Sequence, residues 1–140
     1  NYRTFMEVVE RNLKDDGLYL LHTIGTNTKA LSVDPWTNKY IFPGGVLPVL
    51  QQISTATEGL LILEDLHNIG THYDPTLVAW MENVDKHRDE ITKLGYDERF
   101  YRMWRYYLLG AAGSDRARRN QLWQIVYSKK GLDGGYASIR

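Results

Sequence analysis

Cysteine is absent from the 140 residues. That excludes disulfide staples, a thiolate nucleophile and cysteine metal sites, and it is compatible with a reducing compartment. Net charge is absent too, because seventeen basic side chains balance seventeen acidic ones. No overall field draws such a chain to nucleic acid, and an anionic partner has to be met by a local patch. Apolar runs such as "GLYLLHTIG" are far too short to cross a membrane. The opening "NYRTFMEVVERN" lacks the charged-then-apolar layout of a secretion signal. Repeats, low-complexity tracts and domain boundaries are missing as well, so one domain is expected over residues 1–140. Asn1, rather than a methionine, stands directly before a helical pattern, and we expect further sequence upstream.

What is present is an alternation of helix and strand patterns. Tyr2, Phe5, Met6, Val9 and Leu13 recur at three and four and predict a helix that Asn1 caps and "KDDG" ends. "LYLLHTI" and "LLILEDL" are short apolar runs that read as strands buried on both faces, and "LWQIVYSKK" reads as a third strand. Val46 to Ser54 has helical spacing. Asp74 and Pro75 look like the cap and first turn of a helix running through Leu77, Met81, Val84, Ile91 and Leu94. Asp97 opens another, whose Phe100, Met103, Trp104, Tyr107, Leu108 and Ala111 form the clearest amphipathic stripe. "DPWTNKYIFPGG" reads as a connection with an unusual load of aromatic and apolar mass. This order predicts an α/β fold with a small sheet whose edges are exposed, resembling half of a larger doubly wound sheet.

In such folds ligands collect beyond the carboxyl ends of the strands, which directs attention to His22 to Gly25 and His67 to Asp74. Taken alone, His22 reads as a structural histidine and Tyr73 as a tyrosine packed at a helix start. Their shared place after predicted strands makes them candidates for one site. His67, His72 and His87 lack the one-face spacing of a zinc motif, so no metal site is expected. Arg116, Arg118 and Arg119 in "SDRARRN" read either as a solvated helix end or as a contact for phosphate head groups. "FPGGVLP" and "LDGGY" do not follow a strand and open a helix, so no dinucleotide loop is present.

"LLHTIG", "NKYIFPGG" and "QLWQIVYSK", in this order across nearly the whole chain, resemble the carboxyl-terminal half of the cyclopropane-fatty-acyl-phospholipid synthases. The HTI and IFPGG elements are shared with the mycolic acid branch, and "VDPWTNKY" and "LWQIV" are closer to the phospholipid-acting one. The resemblance implies the carboxyl-terminal half of a class I, Rossmann-like methyltransferase fold using S-adenosylmethionine. This half would contribute three strands, the last antiparallel and lying between the other two. It also implies methylene transfer to the cis double bond of an acyl chain in a membrane phospholipid, with a bicarbonate ion as general base. The motif positions that hold bicarbonate match His22, the backbone of Ile24 and Tyr73, which makes His22 and Tyr73 the catalytic candidates.

The family's cofactor loop, its ribose-binding acid and two further bicarbonate ligands would lie upstream of Asn1. We therefore expect the chain alone neither to bind the cofactor nor to turn over. A carbocation intermediate demands a dry pocket with electron-rich walls, and Trp36, Tyr40, Ile41 and Phe42 are the expected acyl-pocket residues. A cytoplasmic protein peripheral on the inner face of the membrane is implied, with the missing amino-terminal half as partner, no nucleic acid, and homo-oligomerisation through the exposed sheet edge as a hazard. Two alternatives stay open: a related lipid methyltransferase that does not close a ring, and a lipid-binding or assembly module without catalysis.

Overall fold

Asn1 opens the molecule by accepting hydrogen bonds from the backbone amides of Arg3 and Thr4 at 3.1 and 3.3 Å. This cap, a type worth about 1 kcal/mol, starts α1 (Tyr2–Asn12). The structure is a computed structural model and describes residues 1–139. After α1 come β1 (Leu18–Thr26), α2 (Pro35–Tyr40), α3 (Leu50–Thr57), β2 (Ile62–Asn68), α4 (Gly70–Lys86), α5 (Arg88–Lys93), α6 (Glu98–Arg116) and β3 (Asn120–Ser128).

The sheet order is β1-β3-β2, with β3 antiparallel to both neighbours. Leu18 faces Ser128 and Thr26 faces Asn120 on one side, and Ile62 faces Ser128 and Asn68 faces Trp123 on the other. The carboxyl ends of β1 and β2 therefore meet at the start of β3. The register of β2 shifts between Leu63 and Asp65. Glu64, at that irregularity, accepts hydrogen bonds from the Ser128 hydroxyl and the Leu132 amide, anchoring the segment that follows the sheet.

Alternation along β3 sends Trp123, Ile125 and Tyr127 to one face, where Met6 of α1 and Ile53 and Ala56 of α3 cover them. Arg3 ties these two helices together by donating to the Glu58 carbonyl at 2.6 Å. On the opposite side, Leu77 and Met81 of α4 pack with Leu108 and Ala112 of α6. Asp85 joins the same helix pair by accepting from the Tyr101 hydroxyl and from Arg105.

Several elements differ from the sequence reading, each for a physical reason. β1 is not buried on both faces: Tyr19 and Leu21 reach the core, while Leu20 is 55% exposed. Tyr19 and Leu21 pack toward α1 and α3, and among the described residues no strand pairs with the outer edge of β1. β2 is not buried on both faces either: Ile62 and Leu63 are exposed and the next four residues only half-buried. The sequence "PWTNKY", read as a connection, is a short helix, because Asp34 accepts from the Trp36 and Thr37 amides at 3.0 Å and Pro35 fits the first turn. The third helix starts at Leu50 rather than Val46, since the Pro48 carbonyl is held by the Thr26 amide and Gln52 caps Val49. β3 starts and stops two residues earlier than "LWQIVYSKK", because Asn120 and Gln121 pair with Thr26 and Gly25, and the Gly131 amide turns the chain back onto Ser128 Oγ. The long helix after β2 breaks at His87 into α4 and α5.

Gly25, the glycine of "LLHTIG", packs its Cα against the Trp123 ring. A Cβ built there would stand 2.0 Å from a Trp123 ring carbon, so a methyl group has to displace a buried indole. Gly25→Ala is predicted to destabilise the fold by about 1–3 kcal/mol. Urea unfolding measures this directly, and an unchanged midpoint would contradict the packing described.

Candidate functional site

The meeting point of the strand ends is built by short-range chemistry. The Ile69 amide makes one more sheet-like bond to the Leu122 carbonyl at 2.8 Å, and the Asn68 side chain accepts from the Gly70 amide at 3.1 Å. Together these launch α4 directly off β2, upstream of the expected Asp74–Pro75 start, and leave Pro75 inside the helix. Tyr73 consequently lies within the first turn of α4. A side chain at Gly70 would crowd the Leu122 amide at 3.2 Å, so this close approach of helix to strand depends on glycine.

The end of α6 is fixed to the same place. Arg116 donates to both carboxylate oxygens of Asp74 at 2.7 and 2.9 Å, a two-pronged pair linking the last turn of α6 to the start of α4. That guanidinium holds the Asp74 carboxyl below its usual range. Arg118, with a φ of 58°, makes the turn into β3, and its carbonyl accepts from the Gln121 amide group at 2.8 Å. Two of the three arginines of "SDRARRN", Arg116 and Arg118, thus have side-chain partners within the chain, Arg118 donating to Gln121 Oε1 at 3.3 Å, although both remain exposed.

These ends enclose a cavity of about 430 Å³, within the range of small-molecule sites. Ile24 contributes from β1, Phe42 and Leu47 from the β1–α3 connection, Tyr73 and Leu77 from α4, and Tyr107 and Ala111 from α6. Gly110 opens further room, with no atom within 4 Å of where its Cβ would stand. Asp115 and Asn120, with Thr26, Thr28, Ser32 and Asp34 among others, form the polar wall.

Of the residues nominated from sequence, the cavity brings together Ile24, Tyr73 and Phe42. His22 lies two residues before Ile24 on the same face of β1 but outside the lining, exposed, with its Nδ1 3.4 Å from the Gln124 side-chain nitrogen. Trp36 and Tyr40 stand outside the cavity, and Ile41 is half-buried beside them in the chain without lining it. Trp36 meets Tyr106 edge-on with centroids 4.7 Å apart, and Tyr106 does line the cavity. His67 pairs across the sheet with Gln124. Among the described residues no three His, Asp or Glu side chains cluster closely enough to hold a metal ion.

Asp115 is the feature the sequence reading missed. It is 5% exposed, and burial pushes its carboxyl up to about 6, against a hydrogen bond from Asn120 that lowers it and with the charge of Asp74 raising it further. Burial also raises the Tyr107 phenol, helped by Tyr73 and by Asp115. The missed signal was the continuation of the α6 stripe at four-residue steps through Tyr107, Ala111 and Asp115, hidden by the arginines that follow.

The sequence model of the family described as mycolic acid cyclopropane synthetase matches residues 1–125. The chain is 51% identical, over all of its 140 residues, to cyclopropane-fatty-acyl-phospholipid synthase of Escherichia coli (strain K12) and covers 36% of that protein. It thus spans about a third of the relative's length. Among solved structures it is similar to the cyclopropane synthase MmaA2 from Mycobacterium tuberculosis, with TM-score 0.81 and 25% identity over 91% of this chain and 50% of that one. Mycolic acid cyclopropane synthase CmaA1 complexed with SAH and CTAB shares the fold, with TM-score 0.79, 24% identity and the same coverage of 91% and 50%.

Asp115 generates a pH prediction with a definite sign. Its folded-state value of about 6 lies above the ordinary 3.8, so between these values the folded state binds the proton more tightly than the unfolded chain. The stability it contributes is present below about pH 4 and is lost as the pH rises through about 6, a span worth about 3 kcal/mol. Asp115→Asn is therefore predicted to unfold at higher denaturant than wild type at pH 8 and to show no such advantage at pH 4. Equal differences at both pH values would show that Asp115 ionises normally.

Proposed function

We infer the function from one premise: the chain belongs to the mycolic acid cyclopropane synthetase family. We propose that it is part of a cyclopropane-fatty-acyl-phospholipid synthase, which transfers a methylene from S-adenosylmethionine to the cis double bond of a phospholipid acyl chain. The observation that supports this best is the single cavity at the strand ends. One side of it is aliphatic and aromatic, as an acyl site requires, the other is polar, and Ile24 and Tyr73 face it from different elements.

Tyr73 and the Ile24 backbone amide would hold a bicarbonate ion at the cavity, with the His22 ring reaching it from outside the lining, two residues away on the same face of β1, since a phenol, an amide and an imidazole N–H are all donors suited to an oxyanion. Bound there, bicarbonate supplies the general base. Asp115 shares this wall. Tyr107 and Phe42, in edge-on contact with centroids 6.0 Å apart, exclude water and present ring faces to positive charge. Gly110 leaves length for the chain.

The residues described do not fit the cofactor itself. No glycine-rich loop joins a strand to a helix, and the acids lining the cavity, Asp34 and Asp115, are engaged by the α2 amides and by Asn120. S-adenosylmethionine is accordingly assigned to sequence outside this chain, and the partner that supplies it to a preceding segment. Among the described residues no helix is long and apolar enough to cross a membrane, and we place the protein at the cytoplasmic face of the membrane, peripherally.

In the full-length protein, Tyr73→Phe is predicted to lower turnover by on the order of 10²- to 10⁴-fold while leaving cofactor affinity nearly unchanged, as expected for a group serving the base. Lost cofactor affinity with turnover preserved would reject the assignment. Gly110→Leu, which fills the cavity from α6, is predicted to shift preference toward shorter acyl chains. The product distribution from mixed-chain phospholipid reads this, and an unchanged distribution would remove the acyl chain from this cavity.

A further inference from the structure

Arg116 and Arg118 of "SDRARRN" have partners within the chain, and a second cationic surface, free of ion pairs among the described residues, stands beside the cavity. Along α6, Arg99, Arg102, Tyr106 and Leu109 follow one another at three, four and three residues and are all exposed, which puts them on one face of the helix. Tyr106, 64% exposed, meets Trp36 of α2 edge-on, and Trp36 in turn contacts Tyr40 at 5.7 Å. Lys39 lies 4.9 Å above the Tyr40 ring. The Tyr40 phenol is held below its usual range by hydrogen bonding and charge from Lys39 and by the charge of Arg99, so both cations reach the same ring. Phe42, 52% exposed, completes the group. None of Lys39, Arg99 and Arg102 belongs to an ion pair among the described residues, whereas Arg3, Arg88, Arg105 and Arg116 each do.

Three cations without carboxylates, set among rings that have one apolar and one wet end, match the chemistry of a membrane interface, where aromatic side chains sit at head-group level and basic ones meet anionic lipid. Phe42 and Tyr106 belong both to this face and to the cavity lining, so the surface is continuous with the site. We propose that the face formed by α2 and the outer side of α6 docks on anionic phospholipid bilayers and sets the cavity against the acyl chains. The proposal rests on the acyl-site reading for its purpose but not for its test. It also explains how a chain with no net charge meets an anionic surface: the charge is local.

The test is partition of the full 140-residue chain onto sedimented vesicles of equal phosphatidylglycerol and phosphatidylcholine at low salt. Arg99→Gln with Arg102→Gln is compared with an equal charge change at Arg11→Gln with Lys14→Gln, at the end of α1 on the far side of the sheet. Circular dichroism confirms that both variants remain folded. Since each cation near such a surface contributes roughly a five-fold factor, the α6 pair is expected to lose more than about tenfold in partition and the α1 pair less than about twofold. Wild-type binding is expected to disappear on pure phosphatidylcholine. Equal losses in the two variants, equal binding to both vesicle types, or no binding by wild type would overturn the proposal. The last result would assign the face to another segment of the protein. Because no turnover is read, an enzyme inactive on acyl double bonds could still dock as described, and the two readings fail separately.

Discussion

The placement of β3, antiparallel and central, is the constraint on which the rest depends. Ile125 has no exposed surface and Tyr127 almost none on one face, and Leu122 and Val126 are buried on the other, so this strand is covered on both sides. By pairing with β1 and β2 in opposite sense to each, it makes those two strands run parallel and end together. The last residues of β1, the β2–α4 junction, the end of α6 and the first residues of β3 then occupy one region, because the register pairs Thr26 with Asn120 and Asn68 with Trp123. A cavity at that point follows from topology. Its contents follow from which side chains stand there.

Polar chemistry at this convergence is arranged by two neighbouring acids with opposite fates. Asp74 is exposed to a guanidinium and stays charged; Asp115, one residue before that arginine, is buried against Asn120 and holds its proton more tightly. The ion pair is more than half solvent-exposed on the arginine side, so its value lies in fixing the two helix ends rather than in strength. Asp115 carries the energetic cost of burial. A carboxyl kept in such surroundings is the pattern of a functional site more often than of a stabilising one.

Much of this was legible in the sequence because the relevant signals are periodic or motif-based. The α1 and α6 stripes predicted helices, the short apolar runs predicted strands, and the family resemblance supplied the central antiparallel strand, which no local pattern encodes. What escaped was either too short for a pattern or set by partners distant in sequence. The six residues of α2 are too few for periodicity, and only the Asp34 cap reveals them. The start of α4 moved upstream because Asn68 and a sheet bond from Ile69 nucleate it, outweighing the Asp74–Pro75 signal. β1 read as buried on both faces, but a strand's composition cannot say which neighbours are present. Among the nominated residues, Ile24, Phe42 and Tyr73 share the cavity. Trp36 and Tyr40 were read as cavity wall from their aromatic character alone, and they lie instead on the outer face with Tyr106, where the same character suits an interface.

The central claim is that this chain supplies the acyl and anion side of a lipid methyltransferase site, while the cofactor side comes from other sequence. Calorimetric titration of S-adenosylmethionine into the 140-residue chain, alone and then mixed with the segment that precedes Asn1 in its gene, tests this most directly. The account predicts no binding heat from the chain alone and saturable binding after mixing. Saturable, tight binding by the chain alone would contradict it.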